Sequence, residues 1–202
     1  MSAAGKVCTG FSKPYVAKYI NNGGTVAYSG AMQLARGVSV SLSLETTDDN
    51  TFYADNVAAE VAAATFSGGT ATLTVDGLLQ VAEDFILGLP DASSVQVDGK
   101  AVNVSHYGEG MEVPYVGIGF VVRYQSAGVV TYAPVVLTKA RFQEPGLEAA
   151  TQEDSIDWQT QELTATLMRD DTASHDWKLV GADQTTEAAA EAVLVALLGG
   201  AE

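Results

Sequence analysis

LARGVSVSLSLETTDDNTFYADNVAAEVAAATFSGGTATLTV, residues 34–75, is the stretch on which the fold of this chain turns. Its start alternates strictly, with Val38, Val40, Leu42 and Leu44 on one side and Ser39, Ser41 and Ser43 on the other. That is the period of a strand with one buried face. Its end does the same, Ala71, Leu73 and Val75 alternating with Thr70, Thr72 and Thr74. Between the two lies an acidic, aromatic-bearing segment: Asp48, Asp49, Asn50, Phe52, Tyr53, Asp55 and Asn56. Inside a core each carboxylate and amide would need a partner, so the segment is expected to project as a long arm, its polar side in water or against another chain.

Working outward, Asp76 is placed to cap a helix that starts at Gly77 or Leu78. Leu78, Val81, Ala82, Phe85, Ile86 and Leu89 then fall at helical spacing, and Gly88 and Pro90 end it. On the other side, FSKPYVAKYI (11–20) is strand-like but contains Pro14, which removes a ladder donor and argues for an edge strand or the start of one. NNGG (21–24) is a hairpin turn, and 25–28 is its return strand. Further on, Val95 and Val97 precede an Asp98-Gly99 turn and Val102 and Val104 follow it, a small hairpin. Residues 114–125 and 129–142 read as two long central strands. Residues 155–168, with Ile156, Trp158, Leu163, Ala165 and Leu167, read as another strand, bulged near 159–161 where the phase slips. A short strand at 176–180 and a helix at 187–198, capped by Thr186 and stopped by Gly199-Gly200, close the chain. The expectation is one α+β domain over residues 1–202, mainly antiparallel β: a sandwich or half-barrel with two flanking helices and the arm at 34–75.

Composition narrows the function. With 202 residues and 47% apolar content, one substantial core is expected. A single cysteine, Cys8, excludes an internal disulfide. The N-terminal residues lack the apolar run of a secretory signal and no run is long enough to span a bilayer, so synthesis in a cytoplasm and no membrane contact are expected. Charge is segregated. Residues 1–44 carry Lys6, Lys13, Lys18 and Arg36 and no acid (+4); the remainder carries 25 acids against six bases (−19), for a net −15. The basic segment is expected to lie across acidic surface, in its own fold or on a neighbouring copy. Ten scattered bases facing 25 carboxylates make no patch for phosphate, so nucleic-acid binding is disfavoured.

No catalytic constellation emerges. The two histidines, His106 and His175, lack a G-x-S-x-G elbow, and Gly117 and Gly119 lack the third glycine and the helix of a nucleotide loop; close backbone approach suits them better. The acidic segment at 48–60 lacks the D-x-[DN]-x-[DN]-G spacing of a calcium loop. No catalytic residue, cofactor or metal is assigned. A β-sandwich module binding carbohydrate or calcium is the alternative from another class.

Several segments together resemble the major tail (tail tube) proteins of bacteriophages with long non-contractile tails, of the phi-thirteen type. They are GFSKPYVAKY from Gly10, LARGVSVSLSLE from Leu34, DDNTFYADN from Asp48, GGTATLTVDGL from Gly68, HYGEGMEVPYVGIGFVVRYQ from His106 and ATQEDSIDWQTQELTATLMRDD from Ala150. The resemblance implies a non-enzymatic virion protein whose copies form hexameric rings that stack into a hollow tube. Its implied partners are further copies of itself, a tape-measure protein, a tail terminator and distal tail proteins, and DNA passes through without specific binding. It also implies a β-sandwich with a packed helix and a long hairpin arm. On that basis Asp48, Asp49, Asn50, Phe52, Tyr53, Asp55 and Asn56 are candidate inter-subunit contacts, with Phe52 and Tyr53 as anchors and Lys13, Lys18 and Arg36 as cations for acidic groups on a neighbour. The alanine-rich run 57–64 departs from the polar character expected of such an arm.

Overall fold

The structure is a computed structural model and describes residues 5–48, 50–151 and 158–200. Its strands are β1 (Val7–Asn22), β2 (Thr25–Gln33), β3 (Gly37–Thr46), β4 (Asn50–Ala54), β5 (Val57–Ala62), β6 (Phe66–Val75), β7 (Ser93–Val97), β8 (Lys100–Val104), β9 (Val116–Ser126), β10 (Val129–Phe142), β11 (Gln161–Met168) and β12 (Lys178–Val180). Helix α1 (Gln80–Leu87) follows β6, and helix α2 (Glu187–Leu197) follows β12. The chain is α+β and mainly antiparallel, as the alternation indicated.

One large antiparallel sheet has the order β2-β1-β9-β10-β11-β6-β3, with β12 added along β10 where β11 stops. The alternating stretches at 38–44 and 70–75 are neighbours in it: Val40 faces Leu73, and Leu42 faces Ala71. The main core unites strands from both ends of the sheet, Val16 of β1 with Leu73 of β6, around Ile118, Leu137 and Leu163. Phe11 of β1 lies directly against Gly37 of β3, where a side chain would not fit. The sheet therefore curls toward closure, a half-barrel filled by its own apolar face and by Ala82, Ile86 and Leu87 of α1.

The opposite face carries a smaller core, in which Ala17, Val121 and Val136 meet Ala190, Leu194 and Leu198 of the α2 segment. Thr186 caps α2, its hydroxyl accepting from the Ala189 amide at 3.2 Å. Gly117 and Gly119 make this packing possible, because a Cβ on Gly119 would sit 2.6 Å from a Leu194 methyl and one on Gly117 would strike the Tyr28 ring. Close approach is thus the role of these glycines, and the approaching element is α2 with Tyr28.

Four expectations need correction. Pro14 does not mark an edge: β1 runs between β2 and β9, and Pro14 sits at a bulge between Ser12 and Tyr15, where Lys13 has φ 55° and the missing N–H breaks no ladder. Asp76 does not cap α1. The helix starts from Leu79 without a side-chain cap, while the Asp76 carboxylate accepts from the Arg36 amide at 2.9 Å and its guanidinium at 2.5 Å. The strand expected over 155–168 begins at Gln161, so the bulge near 159–161 has no ladder to interrupt, and Trp158 is 82% exposed; Ser155 and Ile156 lie outside the described residues. Finally, Val38 and Leu44 are 55% and 46% exposed, because β3 is the last strand and only Val40 and Leu42 reach the core.

Candidate assembly surfaces

The stretch at 34–75 divides into a rooted part and a free part. β3 and β6 belong to the main sheet, whereas β4 and β5 pair only with each other. Asp55 and Asn56, with φ of 51° and 64°, form the two-residue turn, a left-handed pair that short polar side chains tolerate and that matches strand twist. Register shifts between Phe52 and Tyr53, which oppose Glu60 and Ala58, so a bulge sits near the tip. Phe52, Tyr53 and Val57 are each about two-thirds exposed (64%, 66% and 66%).

The root is fixed. The Thr47 amide donates to the Thr65 carbonyl at 2.9 Å and the Thr65 amide to the Thr47 hydroxyl at 3.0 Å. The Arg169 guanidinium donates to the Phe66 carbonyl, and the Phe66 ring stacks on Trp177 at 4.6 Å between centroids. A clamped root and apolar side chains at a free tip suit a contact presented to something outside the domain. Asp48 is exposed just before the arm, Asn50 opens β4, and Asp49 lies outside the described residues.

The basic segment lies mostly across acids of its own fold. Lys6 meets Asp183 at 2.5 Å, Lys13 meets Glu191 at 3.1 Å, and Arg36 holds Asp76. Lys18 stands over the Phe85 ring at 5.3 Å. The Arg36 guanidinium keeps the Asp76 carboxyl below the usual carboxylate range. The structure therefore does not gather the arm residues and the three candidate cations in one place: Lys13 serves the β1–α2 seam, where Tyr15 also donates to Glu191 at 2.8 Å, and Arg36 serves the β3–β6 end.

Sequence reasoning located the hairpin of β7 and β8 but not its significance. Val95 pairs with Val102, and the register puts Val97 and Val104 on the same face. All four are exposed, at 52%, 47%, 52% and 39%, as are Leu79 and Val81 of the neighbouring helical segment, at 76% and 69%. The signal was available, four valines on one side of a ribbon, but only the structure shows the face uncovered. At its base Ser93 lies 2.7 Å from His106 Nε2 and Ser105 donates to Asp84 at 3.3 Å. The serine–histidine pair is exposed, and no hydrogen bond to His106 Nδ1 is found among the described residues to orient the ring as a base would require. Among the described residues no three His, Cys, Asp or Glu side chains converge as metal ligands, and no helix is long and apolar enough to cross a membrane.

One half-buried network fixes the far side of the sheet. Lys139 lies between the Tyr19 and Tyr115 rings, at 5.1 and 4.9 Å, and reaches Asp171 at 2.7 Å, which also accepts from the Tyr19 hydroxyl at 2.9 Å. Burial pushes the Tyr19 hydroxyl up to about 12, and burial with the Glu191 contact does the same for Tyr15, to about 12; burial raises Tyr28 as well. A raised tyrosine contributes stability that is fully present below its ordinary value of 10 and is lost as pH rises through the folded value. Tyr15 and Tyr19 are expected to ionise together with unfolding, between about 10 and about 12. Near-ultraviolet absorbance recorded alongside circular dichroism checks this; ionisation of all eight tyrosines near pH 10 with the fold intact would contradict it.

No family model matches the chain, and no curated protein matches it.

Proposed function

We propose that the chain is the structural subunit of a bacteriophage tail tube, whose copies form hexameric rings that stack into a hollow conduit for the genome. The observation that carries this reading is the arm, clamped at Thr47, Thr65 and Phe66 and presenting Phe52 and Tyr53 with no cover from its own fold. Two features support it. The curled sheet ends in β2 on one side and β3 on the other, each paired along one edge only, and open edges that endanger a monomer are joining surfaces in an assembly. A repeated head-to-tail contact closes a ring, and a second contact along the axis extends it without closure.

The acidic balance fits a conduit. Phosphates passing a wall of carboxylates find nothing to hold them, whereas a basic wall would bind DNA through counterion release. The lumen-facing charge of the assembled ring is therefore expected to be acidic or neutral, and a ring structure with a lysine- and arginine-lined bore would overturn that. In the virion the partners on this reading are further copies, a tape-measure protein inside, and terminator and distal proteins at the ends. Sedimentation velocity across a concentration series tests the proposal. Growth from monomer to large species is expected, and a ligand-dependent melting shift in a strictly monomeric protein would favour a binding module instead.

A further inference from the structure

Along β9 the molecule has two unlike poles, separated by the roughly 35 Å that eleven extended residues span. At the Val116 end stand α1 and the β7–β8 ribbon, with Val95, Val97, Val102 and Val104 uncovered. Residues 83–112 at this pole carry six acids, Glu83, Asp84, Asp91, Asp98, Glu109 and Glu112, against Lys100; Lys18 lies nearby over Phe85, and Lys139, paired with Asp171, and Arg141 stand over Tyr115, so acids still exceed bases. At the other end, around the β9–β10 turn, Val7 and Val129 are each 63% exposed. The charges there are Arg123 and Lys6, with Asp183 held by Lys6 and the next acid, Glu187, turned back to Ser12. One pole is acidic and apolar; the other is apolar with a basic excess.

We propose that these poles are mates: the valine face of the ribbon docks on the β9–β10 turn pole of a second copy, making the axial contact of the tube. The inference rests on the tube reading and adds to it the surfaces that stack one ring on the next. Three observations favour a second copy as the occupant. The ribbon itself, residues 93–104, bears one acid and one base, so in a chain of net charge −15 it is a surface on which like copies approach with little repulsion. The acids around it face a pole where bases outnumber acids, which sets the polarity of the contact. A two-stranded ribbon is marginal in water unless something packs on its apolar face; among the described residues its base is closed by Ser93 against His106, and Ser105 just beyond it donates to Asp84 of α1. Because the two surfaces differ and lie at opposite ends of β9, the contact is heterologous and, made along that direction, repeats along an axis.

The test is the full chain carrying Val95→Glu with Val102→Glu, and separately Val129→Glu, each checked by thermal melting, then compared with the unsubstituted chain by electron microscopy and sedimentation. Both variants are expected to form rings or lateral oligomers that fail to stack. Variants that melt normally and form tubes of ordinary length would overturn the axial assignment while leaving the tube reading standing. An unsubstituted chain that never assembles would overturn both. Should the glutamates unfold the ribbon, Val97→Cys with Val129→Cys in a Cys8→Ser background decides: disulfide-linked ladders on oxidation of assembled tubes support the contact, and tubes that form without cross-links refute it.

Discussion

Replacing residues 48–62 with a short Gly-Ser turn is expected to leave a folded monomer that no longer polymerises. β4 and β5 pair only with each other, so the main sheet keeps its ladders. The stacked pair Phe66 and Trp177 and the Thr47–Thr65 tie both lie outside the excised residues. Phe52 and Tyr53 are 64% and 66% exposed, so the domain loses little burial with them. An interface loses two aromatic anchors, each worth about 2 kcal/mol or more when seated in a partner, which together weaken association roughly a thousandfold. Phe52→Ala with Tyr53→Ala is the milder form of the same test. Sedimentation should show a monomer whose melting temperature stays within a few degrees of the parent, and normal tubes from the excised chain would refute the role of the arm.

The second large effect lies in the core. Leu73 is fully buried, faces Val40 on one side and Leu163 on the other, and belongs to the main cluster. Leu73→Ala is expected to destabilise the domain by about 2–5 kcal/mol, since the surrounding strands cannot collapse into the void. For a domain of this size that lowers the melting temperature by on the order of 10 °C. Val38→Ala, on a residue 55% exposed, should change it little. Equal losses at the two positions would contradict the strand order, because β6 is flanked on both sides and β3 on one.

That contrast shows what the sequence could and could not reveal. Val38 and Leu73 sit in the same alternating pattern, and periodicity reports a strand with a buried face without saying which strand is last. Turn chemistry was legible at Asp98-Gly99 and Gly23-Gly24, which take left-handed φ at hairpin tips, whereas the turn that Asp55 and Asn56 make in the same way was read only as part of an acidic contact segment. The helix at 187–198 was legible through its Thr186 cap and its Leu194 and Leu198 stripe. Pro14 misled because a bulge absorbs the missing donor as well as an edge does. Asp76 misled because a cap and an ion pair use the same carboxylate, and Arg36, forty residues earlier, took it. The arm was legible as a surplus of polar groups with no core to serve. Its narrower extent, and the uncovered valine face of the β7–β8 ribbon, were not, because what covers a face is a property of the assembled chain.

The most direct measurement is a negative-stain electron micrograph of the purified chain over a concentration series. Rings with an open centre, stacking into tubes as concentration rises, are the expected result. A monodisperse particle the size of one chain at every concentration would contradict the proposal that the protein is a tube subunit.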